Sequence, residues 1–87
     1  MYNFYHESYT SAINEAIEFA LNDGYELNDE ELAQDVGFDS VKPQDGKTTR
    51  LSLKLHTNKG LSSKRLQVQV YNRGTETKTY ELNCYIS

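Results

Sequence analysis

Three runs of alternating apolar residues fill the C-terminal half of the chain. They are Leu51, Leu53 and Leu55, then Leu66, Val68 and Val70, then Tyr80, Leu82, Cys84 and Ile86. Alternation sends successive side chains to opposite faces of an extended chain, so each run reads as a strand with one apolar and one polar face. The pattern predicts strands over about residues 49–57, 64–71 and 78–86. Asn58-Lys59-Gly60 opens a hairpin loop between the first two, and Asn72-Arg73-Gly74 opens the next. Three such strands in succession form an antiparallel meander. Its apolar face has to be covered, and the helical segment before it is the candidate cover.

That segment carries clear punctuation. Ser8 suits a helix N-cap, and Tyr9, Ile13, Ala16, Ile17, Ala20 and Leu21 recur at helical spacing on one stripe. Phe19 lies on the flank beside Ala12, and Gly24 suits the left-handed position past the last turn. A helix is expected over about residues 9–23. A second start signal follows: Asn28 as cap, Glu31 three residues on as its capping-box partner, and Leu27 and Leu32 at the positions of a hydrophobic staple. Asp29, Glu30 and Glu31 stand where the helix dipole favours negative charge. This short helix is expected over about residues 29–36, with Leu32 and Val36 inward, Gly37 ending it and Phe38 filling the core beyond. Residues 39–48 read as a loop around Pro43 and the Asp45-Gly46 turn pair. Residues 1–7, with Tyr2, Phe4 and Tyr5, read as a frayed arm or as aromatic cover for one end of the core.

The expected fold is therefore α+β, in the order α-α-β-β-β: one main N-terminal helix and a short second helix packed on one face of a three-stranded antiparallel β-meander. At 87 residues the chain, 1–87, is a single domain. In this meander the last strand is an edge with few charges, so a weak homodimer, if the chain is not a monomer, is expected through that strand or through exposed aromatics. No apolar run approaches the roughly 20 residues of a membrane span, and Met1 to His6 lack the pattern of a secretory leader. The expected compartment is cytoplasmic, with no membrane partner. A single cysteine, Cys84, fits this and excludes an intramolecular disulfide.

Charge is segregated. Residues 1–46 hold eleven acids and one base, and residues 47–87 hold eight bases and two acids, within a net charge of −4. Such asymmetry fits a charged partner, and it equally fits two halves that attract each other across the fold.

The polar face of the meander is the candidate binding surface. Alternation assigns to it Arg50, Ser52, Lys54 and His56, then Arg65, Gln67, Gln69 and Tyr71, then Thr79, Glu81, Asn83 and Tyr85. Cations, amides and tyrosine rings suit phosphate contacts with base stacking. They also suit a protein partner, for which Tyr and Arg are favoured anchors. The plainer reading is a solvated face with cross-strand pairs such as Lys54 or Arg65 with Glu81. The partner-binding candidates are Arg50, Lys54, His56, Arg65, Gln67, Gln69, Tyr71 and Tyr85. The acidic helical half is a second candidate surface.

Nothing in the sequence points to catalysis, a cofactor or a metal. His6 and His56 are far apart, and Cys84 alternates inward as a small apolar residue. The acids of residues 23–31 lack the spacing and glycine of a calcium loop. The five glycines, Gly24, Gly37, Gly46, Gly60 and Gly74, all fall at turns, so no phosphate-binding loop is formed.

Four stretches, Gly24-Tyr-Glu-Leu-Asn28, Gly46-Lys-Thr-Thr-Arg50, Leu66-Gln-Val-Gln-Val-Tyr71 and Tyr80-Glu-Leu-Asn-Cys-Tyr-Ile-Ser87, resemble small accessory proteins of tailed bacteriophages. The resemblance spans the chain from about residue 9 onward. It implies a viral origin and an accessory, non-enzymatic role, and it brings no site residues. The function expected is a small interaction protein that binds a host protein such as a defence component, with inhibition of that protein as one outcome. The alternatives are a nucleic-acid-binding module on the sheet face and a minor virion component.

Overall fold

The computed structural model describes residues 2–36 and 42–87, with side chains for 4–34 and 42–87. The expectations for Val36, Gly37 and Phe38 fall outside the described side chains and residues. The elements are β1 (Tyr2–His6), α1 (Tyr9–Asn22), α2 (Asp29–Val36), β2 (Thr48–Thr57), β3 (Gly60–Asn72) and β4 (Tyr80–Ile86). The α+β class holds, but the sheet has four strands in the order β1-β4-β3-β2, all antiparallel, not three.

The added strand is the N-terminal segment expected to be an arm. Its aromatic residues favour extended backbone. It pairs along β4, with Phe4 opposite Leu82 and His6 opposite Tyr80. This corrects a second expectation. The last strand is not an edge but an interior one, flanked by β1 and β3. The hairpin is also tighter than expected: β3 begins at Gly60 rather than near residue 64, across a two-residue Asn58-Lys59 turn. Gly60 has φ +112°, a conformation that L side chains resist.

Helix α1 begins where Ser8 Oγ accepts from the Ser11 N–H at 3.1 Å. It ends in a Schellman motif. The Gly24 N–H reaches the Leu21 carbonyl at 3.0 Å, and the Tyr25 N–H reaches the Ala20 carbonyl at 3.1 Å. Gly24 supplies the positive φ of +89°. The buried stripe is Tyr9, Ala12, Ile13, Ala16 and Ala20, with Ile17 and Phe19 on its flanks. Leu21, expected on the stripe, is half exposed. The three alanines, all fully buried, let the helix lie close over β4, β3 and β1. The same core cluster holds Leu53, Leu55, Leu66, Val68, Val70, Leu82 and Cys84, each at 1% exposure or less. Tyr9 meets Tyr80 edge-on at 6.2 Å. Burial pushes the Cys84 thiol up to about 11, so it is a protonated core group at neutral pH.

Helix α2 does not share α1's position over the sheet. The segment leading into it runs beside the outer edge of β2, where Glu26 and His56 exchange two backbone hydrogen bonds of 2.8 Å. Helix α2 then packs along β2. Leu27 and Leu32 reach the core from there.

A candidate interaction surface on the open sheet face

Register turns the outer face into a grid. One row is Thr48, Tyr71, Glu81 and Tyr5, across β2, β3, β4 and β1. The next holds Arg50, Gln69 and Asn83, the next Ser52, Gln67 and Tyr85, and the last Lys54, Arg65 and, through its backbone, Ser87. The inner face takes the alternate residues, and α1 covers only that side. The outer face is left open among the described residues. Amides form its centre, and tyrosines stand at Tyr5, Tyr71 and Tyr85. Tyr5 and Tyr71 are 47% and 38% exposed.

The structure brings all eight predicted residues to this side of the sheet but divides them. Arg50, Gln67, Gln69, Tyr71 and Tyr85 lie in the body of the grid. Lys54 and His56 are at its far end, where Glu31 of α2 reaches round the β2 edge. His56 Nε2 donates to Glu31 Oε1 at 2.6 Å, and Lys54 Nζ stands 3.4 Å from Glu31 Oε2. The hydrogen bond from His56, aided by Lys54, holds the Glu31 carboxyl below its usual range. Arg65 folds back across the sheet, its Nε donating to Ser52 Oγ and a terminal nitrogen to the Ser52 carbonyl, both at 2.8 Å. Arg50 has no ion-pair partner among the described residues.

Two expectations fail here, one through distance and one through competing partners. Glu81 cannot pair with Lys54 or Arg65. It stands opposite Tyr71, six residues along β3 from Arg65, which is about 20 Å of strand. The capping box is also only half made. Asn28 Oδ1 accepts from the N–H groups of Glu30 and Glu31 at 2.9 and 3.1 Å, but the Glu31 carboxylate turns to Lys54 and His56 instead of back to Asn28. Among the described residues, the acidic and basic halves do therefore meet across the fold, at this cluster.

Sequence reasoning missed Tyr5, Arg73 and Glu31. Arg73, in the β3–β4 loop, lies 5.0 Å over the Tyr5 ring and donates to the Lys78 carbonyl at 3.1 Å. This places a cation and a ring at the corner of the face beside Tyr71. The signal for Tyr5 was the run of strand-forming aromatics from Tyr2. Arg73 and Glu31 left none, because their contacts depend on how a loop and a helix pack.

Shallow grooves flank the sheet among the described residues. The first, about 640 Å³, is lined by Lys42, Pro43, Gln44, Asp45, Asn72 and Tyr80, and the second, about 310 Å³, by Glu26, Leu27, Asn28, His56 and Thr57. Among the described residues no cluster of His, Cys, Asp and Glu could hold a metal ion, and no helix is long and apolar enough to cross a membrane. Comparison with known proteins finds no matching family, no matching curated protein and no matching solved structure.

Proposed function

We propose that this chain is a small non-enzymatic interaction protein whose open sheet face binds a protein partner. The observation that carries the reading is the four-stranded face itself, which no described element covers, with Tyr5, Tyr71 and Tyr85 standing around an amide centre of Gln67, Gln69 and Asn83. Rigid tyrosines with short polar neighbours are the chemistry of protein-binding surfaces, because they give large contact area at small entropic cost. Arg50 adds a cation with no ion-pair partner among the described residues, of the residue type favoured as an anchor.

The charge pattern favours protein over nucleic acid. Of the four cations among the described residues on this side, Lys54 is held by Glu31, Arg65 by Ser52, and Arg73 by Tyr5 and the Lys78 carbonyl. Glu81 sits in the face, and the chain as a whole carries −4. A surface that grips a polyanion needs its cations free to displace counterions. The resemblance to phage accessory proteins makes a host protein the partner class to test first, met in the host cytoplasm and inhibited by being bound.

The test is a titration of the protein into labelled single-stranded and double-stranded DNA and RNA at low salt, beside affinity capture from bacterial lysate with and without nuclease. The reading expects no affinity for the bare nucleic acids and a captured protein that survives nuclease. Tight, salt-sensitive binding to DNA or RNA, or capture that disappears with nuclease, overturns it in favour of a nucleic-acid module.

A further inference from the structure

The sheet ends in β1 on one side and β2 on the other, and the two edges differ. On β2, Glu26 takes up the outward backbone groups of His56, and the edge carries Arg50 and Lys54, whose charges discourage pairing. Strand β1 carries no Asp, Glu, Lys, Arg or Pro, and its register with β4 has no bulge.

The ladder shows which β1 groups point outward. Arg65 and Ser87 exchange both backbone bonds, at 3.0 and 3.1 Å, so they form a hydrogen-bonded pair. In an antiparallel ladder such pairs recur every second residue. Glu81, Asn83 and Tyr85 therefore face β3, while Tyr80, Leu82 and Cys84 turn their backbone groups to His6, Phe4 and Tyr2. The N–H and C=O groups of Asn3 and Tyr5 then point away from the sheet, and no strand among the described residues meets them.

We propose that β1 pairs antiparallel with β1 of a second copy, joining two four-stranded sheets into one of eight strands about a two-fold axis at Phe4. With Phe4 opposite its own copy, Asn3 of each chain stands opposite Tyr5 of the other, and four backbone hydrogen bonds form. Charge fits this occupant. Self-pairing sets like side chains near one another, and this strand brings no like charges together. Phe4, 41% exposed, occupies the non-hydrogen-bonded position on the axis, where cross-strand side chains come closest. Because the axis runs perpendicular to the sheet, the two open faces lie side by side, with a Tyr5 from each chain near the seam. A five-residue strand buries less than the roughly 1,200 Å² typical of stable complexes, so the dimer is weak and concentration-dependent. The inference stands independently of what the open face binds.

Sedimentation of the full chain over a wide concentration range tests it, with three variants. Tyr5→Pro removes only an outward N–H and leaves the β1–β4 ladder intact, and should weaken the dimer at least about tenfold, since two backbone hydrogen bonds are lost per dimer. Phe4→Lys, which sets two cations on the axis, should abolish it. Tyr5→Ala, which keeps the N–H, should leave it. Amide hydrogen exchange on the unaltered protein gives a readout that needs no variant. The Asn3 and Tyr5 amides should gain protection as concentration rises, while those of Phe4 and His6 stay protected throughout. A strict monomer at every concentration, or a dimer that Tyr5→Pro leaves unchanged, or Asn3 and Tyr5 exchange that ignores concentration, overturns the proposal.

Discussion

Asn72 offers the sharpest test of how the fold holds its loops. It is 5% exposed at the end of β3. Its side-chain Nδ2 donates to the Pro43 carbonyl at 3.0 Å, and its Oδ1 accepts from the Gly74 N–H at 2.9 Å. Its backbone bonds to Gly46 and Lys47 at 2.8 and 2.9 Å, so one residue ties the loop before β2 to the turn after β3. Replacing it with Ala leaves the backbone bonds but strips two partners. Pro43 is buried, and its orphaned carbonyl costs about 1–3 kcal/mol. Gly74 is exposed, so water takes over its N–H and the loss there is nearer about 0.5 kcal/mol. The sum is about 1.5–3.5 kcal/mol, or roughly 6–28 °C in melting temperature for a domain of this size. Asn72→Asp separates the two bonds. It keeps the acceptor for Gly74 but turns a carboxylate oxygen toward the Pro43 carbonyl, so it is unstable at neutral pH and recovers relative to the native protein in acid, where a protonated carboxyl donates. Urea unfolding followed by circular dichroism reads all three proteins. A native-like Asn72→Ala within about 0.5 kcal/mol, the usual effect of an unremarkable surface change, refutes the reasoning.

Other expected outcomes follow from single contacts. Truncating Leu53, Val68 or Leu82 to Ala costs about 2–5 kcal/mol each, read as a lowered urea midpoint, because each is an enclosed side chain from a different strand. Glu31 is held below its usual value of 4.5, so its contribution to stability is present above that pH and is lost as pH falls through the folded-state value; Glu31→Gln should flatten this part of the acid limb in a melting-temperature profile. Burial lowers the pKa of His6, whose Nδ1 shares a 2.7 Å hydrogen bond with Ser11 Oγ and whose Nε2 has no partner among the described residues. The unfolded chain therefore takes up that proton first, stability falls as pH drops below about 6.5, and His6→Gln should remove this component from the same profile.

Much of the fold was legible because the patterns were periodic. The three alternating runs placed every core residue of β2, β3 and β4 on the correct face, and Ser8, Gly24 and Asn28 marked helix ends that their hydrogen bonds now explain. Strand β1 was not legible as a strand, because its aromatic residues alternate with no clear apolar and polar sides, as befits a short edge. That omission propagated: without β1, the last strand looked like an edge, and Tyr5 was absent from the open face. The body of the candidate surface could be read from alternation alone. What could not be read was which of its cations were already engaged. Lys54 depends on how α2 sits along β2, Arg65 on a diagonal reach to Ser52, and Arg73 on the course of a loop.

The central claim is that the open face, not the acidic helical side, meets a protein. Quantitative capture from nuclease-treated bacterial lysate tests it by side of the molecule, comparing the native chain with Tyr71→Ala, Arg50→Ala and Glu18→Ala, the last on the exposed side of α1. The account predicts that Tyr71→Ala and Arg50→Ala each weaken capture of the same protein by about tenfold, the loss of one anchor side chain, while Glu18→Ala captures it like the native chain. Capture that Glu18→Ala abolishes and the two open-face variants retain would contradict the account and move the binding surface to the helices.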